Sequence, residues 1–105
     1  MSIKEKDLSF GQLIHKLRKE KEWTVKEFIK KLDGKISPAY VTRIEQHDEI
    51  PSPKMIFQIA EVLGLDEQEL LSHAKENKIR KFEKSLESKY QNAYGLYRTQ
   101  KEKVK

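Results

Sequence analysis

Cysteine is absent from the sequence, which excludes disulfides, thiolate metal sites and a cysteine nucleophile. No apolar run approaches the ~20 residues that a membrane-spanning helix needs. The opening segment, MSIKEKDLSF, carries no apolar stretch of the signal-peptide kind. These two absences give the expectation of a cytoplasmic protein with no membrane partner. No Gly-rich loop is placed to cradle a phosphate, and His15, His47 and His73 are dispersed, without a spacing such as H-x-x-x-H. No enzyme, metal, cofactor or small-molecule substrate is expected. No alternating run of β-branched residues points to a strand.

Charge is abundant. Of 105 residues, 37% are charged and 36% apolar, which suits one small domain with a modest core and a tail. The charge is also segregated. Residues 1–43 hold 11 Lys/Arg against 6 Asp/Glu (+5), residues 44–74 hold 1 against 7 (−6), and residues 75–105 hold 10 against 4 (+6). Basic faces attract polyanions such as nucleic acid, although a solvated helical surface has the same composition.

A helix-start device recurs along the chain. LSFGQL offers Ser9 as N-cap and Gln12 three residues on, WTVKEF offers Thr24 and Glu27, and LDEQEL offers Asp66 and Glu69. ISPAYV places Ser37 before Pro38, and PSPKMI places Ser52 before Pro53. Each cap oxygen can accept from a first-turn amide, and the Gln or Glu can reach back to close a capping box. Proline just after the cap begins a helix, because no amide is needed there. Apolar pairs bracket four of the caps as hydrophobic staples: Leu8/Leu13, Trp23/Phe28, Ile36/Val41 and Leu65/Leu70.

Apolar spacing of three and four fills in the helix bodies. The first carries Phe10, Leu13, Ile14 and Leu17; the second Val25, Phe28, Ile29 and Leu32; the third Val41 and Ile44. The fourth carries Ile56, Ile59, Ala60 and Leu63, and the fifth Leu70, Leu71 and Ala74. Gly34 and Gly64 suit helix ends. The expectation is an all-α domain over residues 6–76. Residues 77–105 form a tail: a sixth, amphipathic helix from about residue 76 to 94 ended by Gly95, then a basic, partly disordered stretch. The tail stripe of Ile79, Phe82, Leu86, Tyr90, Ala93 and Tyr97 must be covered, by folding back or, as the favoured expectation, by another chain.

The ordered set GQLIHKLRKEKEWTVKEFIKKL, ISPAYVTRIE and IPSPKMIFQIAEVLGL resembles the phage-repressor and Cro-type helix-turn-helix family of transcriptional regulators. The resemblance covers residues 10–71. It implies a five-helix repressor-like DNA-binding domain with the amphipathic helical tail appended, and a third helix, residues 37–46, lying in the major groove of double-stranded DNA. Carried over by position, Pro38, Ala39, Tyr40 and Arg43 would face bases, with Arg43 suited to a bidentate guanine contact. Lys26, Lys35, Ser37, Thr42 and Gln46 would meet phosphates, Thr42 and Gln46 from the helix edges. Arg18 and Glu45 match an ion pair that sets the angle of the third helix. The resemblance further implies a homodimer, with the fifth helix and the tail as its contact.

The sequence departs from the family pattern at several places. Val25 stands where the family usually has a phosphate-binding glutamine, and Ile29 where it has a small residue. The turn DGKI is longer by about two residues than the family's usual turn. His47 replaces a glycine, and is expected to take the left-handed conformation. Asp48 and Glu49 stand where basic residues are common and would repel phosphate. These departures keep a second reading open, a protein-interaction module on the same fold that has lost specific DNA binding.

Overall fold

The computed structural model describes the backbone of residues 7–103 and the side chains of residues 7–93. Five helices follow one another: α1 (Phe10–Glu20), α2 (Val25–Lys31), α3 (Pro38–His47), α4 (Pro53–Leu63) and α5 (Glu67–Lys103). There is no strand among the described residues, and no helix there is long and apolar enough to cross a membrane.

The helices begin where the caps stand. The hydroxyls of Ser9, Thr24, Ser37 and Ser52 accept from the amides of Gln12, Glu27, Tyr40 and Met55 at 3.2, 3.1, 3.1 and 3.3 Å. The Asp66 carboxylate accepts from the Glu69 amide at 2.9 Å. Reciprocal capping boxes close at Ser9/Gln12 and Thr24/Glu27. Pro38 and Pro53 sit in the first turns of α3 and α4. Leu8, Trp23, Ile36 and Leu65, just before the caps, pack on the core. The Trp23 ring stacks on Phe28 with centroids 6.5 Å apart. Each staple thereby fixes the direction in which the chain enters its helix.

One core joins the five helices. Phe10, Ile14, Phe28, Ile59, Ala60 and Leu70 are wholly buried, and Leu13, Leu32, Val41, Ile44, Ile56, Leu63 and Ala74 nearly so. A large apolar side chain buried this way contributes about 1.5–3 kcal/mol. α1 packs mainly on α3, and α4 on α5.

The α1–α3 contact is close because Gly11 has no Cβ. A Cβ there would collide with the Ile44 carbonyl oxygen and press on Asp48. Two amides at the start of α1 have no partner in their own helix. Gly11 N donates to Asp48 Oδ1 at 2.9 Å, and Phe10 N to Asn77 Oδ1 at 3.2 Å. α3 and α5 therefore cap α1 from outside. The left-handed residue that ends α3 is Asp48 (φ 53°), and His47 stays helical, contrary to expectation.

The expected fifth and sixth helices are a single helix of 37 residues, about 55 Å long at 1.5 Å per residue. Neither proline nor glycine occurs between residues 67 and 94, so nothing interrupts it. Gly95 does not end it, since the backbone stays helical to Lys103. A glycine inside a helix costs only about 1 kcal/mol, which does not terminate one unaided. Residues 98–103, expected to be disordered, are helical, and residues 104–105 lie outside the described residues. Among the described side chains the stripe does not fold back, and the Tyr97 side chain lies outside them. Ile79, Phe82 and Tyr90 are 45%, 63% and 59% exposed.

Candidate nucleic-acid interface

α3 has a sharply divided surface. Val41 and Ile44 are buried in the core. Ala39, Thr42, Arg43 and Gln46, spaced three, one and three residues apart, are all exposed, and that spacing places them on one outward face. At 100° per residue Gln46, expected at a helix edge, falls near the middle of that face beside Ala39, and Thr42 and Arg43 flank it on opposite sides. The Thr42 hydroxyl donates to the Pro38 carbonyl at 3.1 Å. Pro38 and Ala39 stand exposed at the helix start, and Ser37 before them is spent as the cap.

Tyr40 and Arg43 are brought together. The Tyr40 ring is half-buried against the core at the border of the outward face. The Arg43 guanidinium lies over it, 5.1 Å from the ring centroid, within cation–π range. Arg43 Nε also lies 3.4 Å from a carboxylate oxygen of Glu49. Both side chains of that ion pair are well exposed, so the pair is weak and exchangeable. Arg43 is thus held along the helix surface by a ring below it and a carboxylate beside it.

α2 packs against α3. Lys26 in its first turn and Lys35 in the following turn are exposed. Neither side chain has a hydrogen bond or ion pair among the described residues. Val25 and Ile29 instead pack on the core, so these two departures from the family pattern serve as apolar contacts. The lengthened turn is built from two consecutive left-handed residues, Asp33 (φ 58°) and Gly34 (φ 69°). Gly34 N donates back to Ile29 O at 2.9 Å.

Arg18 and Glu45 tie α1 to α3 beneath the outward face. Arg18 Nε and Nη2 donate to the two carboxylate oxygens of Glu45 at 2.8 and 2.9 Å, and Nη1 donates to the Trp23 carbonyl at 2.7 Å. The two side chains are 6% and 4% exposed. His15 Nδ1 joins them, 2.7 Å from Glu45 Oε1. Burial alone would push the Glu45 carboxyl up, but the hydrogen bonds from Arg18 and His15 outweigh it and hold the group below the usual carboxylate range. The bond from Glu45 raises Arg18 above its ordinary value. A forked guanidinium–carboxylate pair fixes orientation as well as distance, so this contact links α1 to α3 with a defined geometry.

Sequence reasoning missed three participants. Asp48 looked like a charge near phosphate, yet its carboxylate turns onto the start of α1. Gly11 was the available signal for this, a glycine inside an amphipathic helix with no turn to make. Asn77 and His15 carry no sequence pattern that reveals their partners. In the comparisons with known proteins, a family model described as helix-turn-helix matches residues 14–70, from the middle of α1 to the start of α5. No curated protein and no solved structure matches the chain.

Proposed function

The chain belongs to the helix-turn-helix family of phage-repressor and Cro type, a family of DNA-binding regulators, and on that premise we propose that it represses transcription by reading a specific DNA sequence with α3. The observation that carries this reading is the outward face of α3, where Ala39, Thr42, Arg43 and Gln46 stand exposed on the side away from the buried Val41 and Ile44. The major groove of DNA accepts one such helix, and the residues near its N-terminus read base edges. Pro38, Ala39 and Tyr40 offer apolar surface to thymine methyl groups, and Arg43 takes guanine through both arms of its fork. Thr42 and Gln46, exposed on the same helix, meet phosphates. Lys26, Lys35 and the Ser37 region contact the flanking phosphates. The protein binds as a homodimer through α5, to half-sites about 10 bp apart or a multiple of that.

The test is selection of genomic DNA fragments by the purified full-length protein near physiological salt, followed by sequencing. An enriched inverted repeat supports the reading. Arg43→Ala should then weaken binding to the selected site by about 1–3 kcal/mol, mostly at one base position. Lys26→Ala should weaken all sequences alike and lower the salt dependence.

A second reading, an interaction module that has given up specific DNA binding, is favoured by one observation: a Glu49 carboxylate oxygen stands 3.4 Å from Arg43 Nε. Absence of enrichment over bulk DNA, with Arg43→Ala leaving DNA binding unchanged, would establish it.

A further inference from the structure

We infer that residues 76–93 of α5 pair in parallel and in register with the same segment of a second copy of the chain. The inference rests on the homodimer proposed above and fixes its orientation. The outer face of α5 has an eleven-residue period: Ile79 and Tyr90 are eleven apart, as are Phe82 and Ala93, with Leu86 between them. Eleven residues complete three helical turns with only about 20° left over. The apolar stripe therefore runs almost straight along the helix and can meet a straight partner over its whole length. Ile79, Phe82 and Tyr90 are exposed, and the helix carries them away from the core without a break, so the chain's own domain does not cover them.

Charge says what does. At 100° per residue, Glu76, Glu83 and Glu87 all fall on one border of the stripe, and Lys78 and Lys89 on the other. The lysines are eleven residues apart, as are Glu76 and Glu87, so the borders repeat with the stripe. Arg80 stands beyond the acidic border, 3.9 Å from Glu76. In a parallel two-stranded pair, each border meets the opposite border of the partner helix. Lys78 then faces the partner's Glu83, five residues further on, and the symmetry repeats the contact. In an antiparallel pair, glutamates meet glutamates and lysines meet lysines. Only the parallel arrangement is complementary to itself.

The lack of native cysteine makes the orientation measurable on the full chain. Phe82→Cys and Tyr90→Cys each change an exposed residue outside the core, and each variant alone should form a covalent dimer under mild oxidation. A mixture of the two should give little cross-linking between unlike chains. Efficient cross-linking of 82 to 90, with each variant alone inert, would mean an antiparallel pair and overturn the inference. Lys78→Glu places like charges across the parallel contact and should weaken dimerisation roughly two- to tenfold at low salt, as should Glu83→Lys. The combined K78E/E83K chain should recover. Stronger dimerisation of Lys78→Glu would also overturn the inference. Sedimentation equilibrium of the unaltered chain separates the two levels: a monomer at tens of micromolar removes the dimer itself. DNA binding, assayed on the same sample by mobility shift, stands or falls on its own.

Discussion

The Asp48 carboxylate receives the Gly11 amide at 2.9 Å, joining the residue just past α3 to the first turn of α1. The contact depends on Gly11 having no side chain, because a Cβ would collide with the Ile44 carbonyl oxygen. Two effects of Gly11→Ala oppose one another. Helix propensity favours alanine by up to about 1 kcal/mol. Overpacking against backbone typically costs about 1–3 kcal/mol, and here α3 must move to relieve it. The expected outcome is a net loss of stability, measured as a lower urea midpoint by Trp23 fluorescence. A gain would mean that α1 and α3 stand further apart than described.

Arg18→Met should destabilise the fold by about 3–5 kcal/mol, because it leaves a buried carboxylate with only His15 for company. The pair also makes stability depend on pH. Burial pushes the Glu45 carboxyl up, the bonds from Arg18 and His15 pull it further down, and the net value is depressed. A depressed carboxylate stabilises the fold fully above its unfolded value, about 4.3. That stability is lost as pH falls through the lower folded value. Glu45→Gln should therefore lower stability at neutral pH and reduce its fall between neutral and acid pH. Urea unfolding from pH 7 to 3 reads both changes.

The helices were legible because their starts are written locally. A cap hydroxyl, a following Gln, Glu or Pro and a bracketing apolar pair all act within six residues, as at Thr24, Glu27 and Phe28. The core was legible for the same reason, since Ile14 and Ile59 follow helical spacing. What escaped depends on contacts between distant segments. Asp48 and Gly11 are far apart in sequence, and so are Asn77 and Phe10. The length of α5 escaped for a different reason. The expected break near residue 76 had no stop signal behind it, and Gly95 was given more weight than a glycine with no capping partner carries. On α3, a period of 3.6 puts Gln46 near the middle of the outward face, whereas its polarity had suggested an edge.

Glu49→Gln tests whether Arg43 is restrained. Both side chains of the pair are about half exposed, so the substitution should change folding stability by less than about 0.5 kcal/mol. It removes a negative charge next to the proposed groove-facing arginine and frees that arginine to reach a base. DNA affinity for the selected site should rise about two- to fivefold, the effect of a surface ion pair. The gain should shrink as salt rises, because screening weakens exposed charges. Mobility-shift titrations at two ionic strengths measure it. An unchanged affinity would place Arg43 and Glu49 away from the DNA.

Glu22, Asp33 and Gly34 should rank in stability effect by how well each tolerates the left-handed backbone. Glu22 (φ 58°) and Asp33 (φ 58°) hold this conformation without being glycine. The left-handed region costs an L-residue about 1–2 kcal/mol, less for Asp, whose short side chain can hydrogen-bond locally. Replacing Glu22 with Gly removes that cost but adds chain entropy to the unfolded state. The net gain should be about 0.5–1 kcal/mol, and Asp33→Gly should gain less. Gly34→Ala has open space around the new methyl, yet its φ of 69° makes it strained. It should lose about 1 kcal/mol and disturb the turn that presents α3. Thermal unfolding orders the three. Glu22→Gly should leave DNA affinity unchanged because Glu22 lies in the α1–α2 turn, whereas Gly34→Ala should weaken affinity by shifting the start of α3.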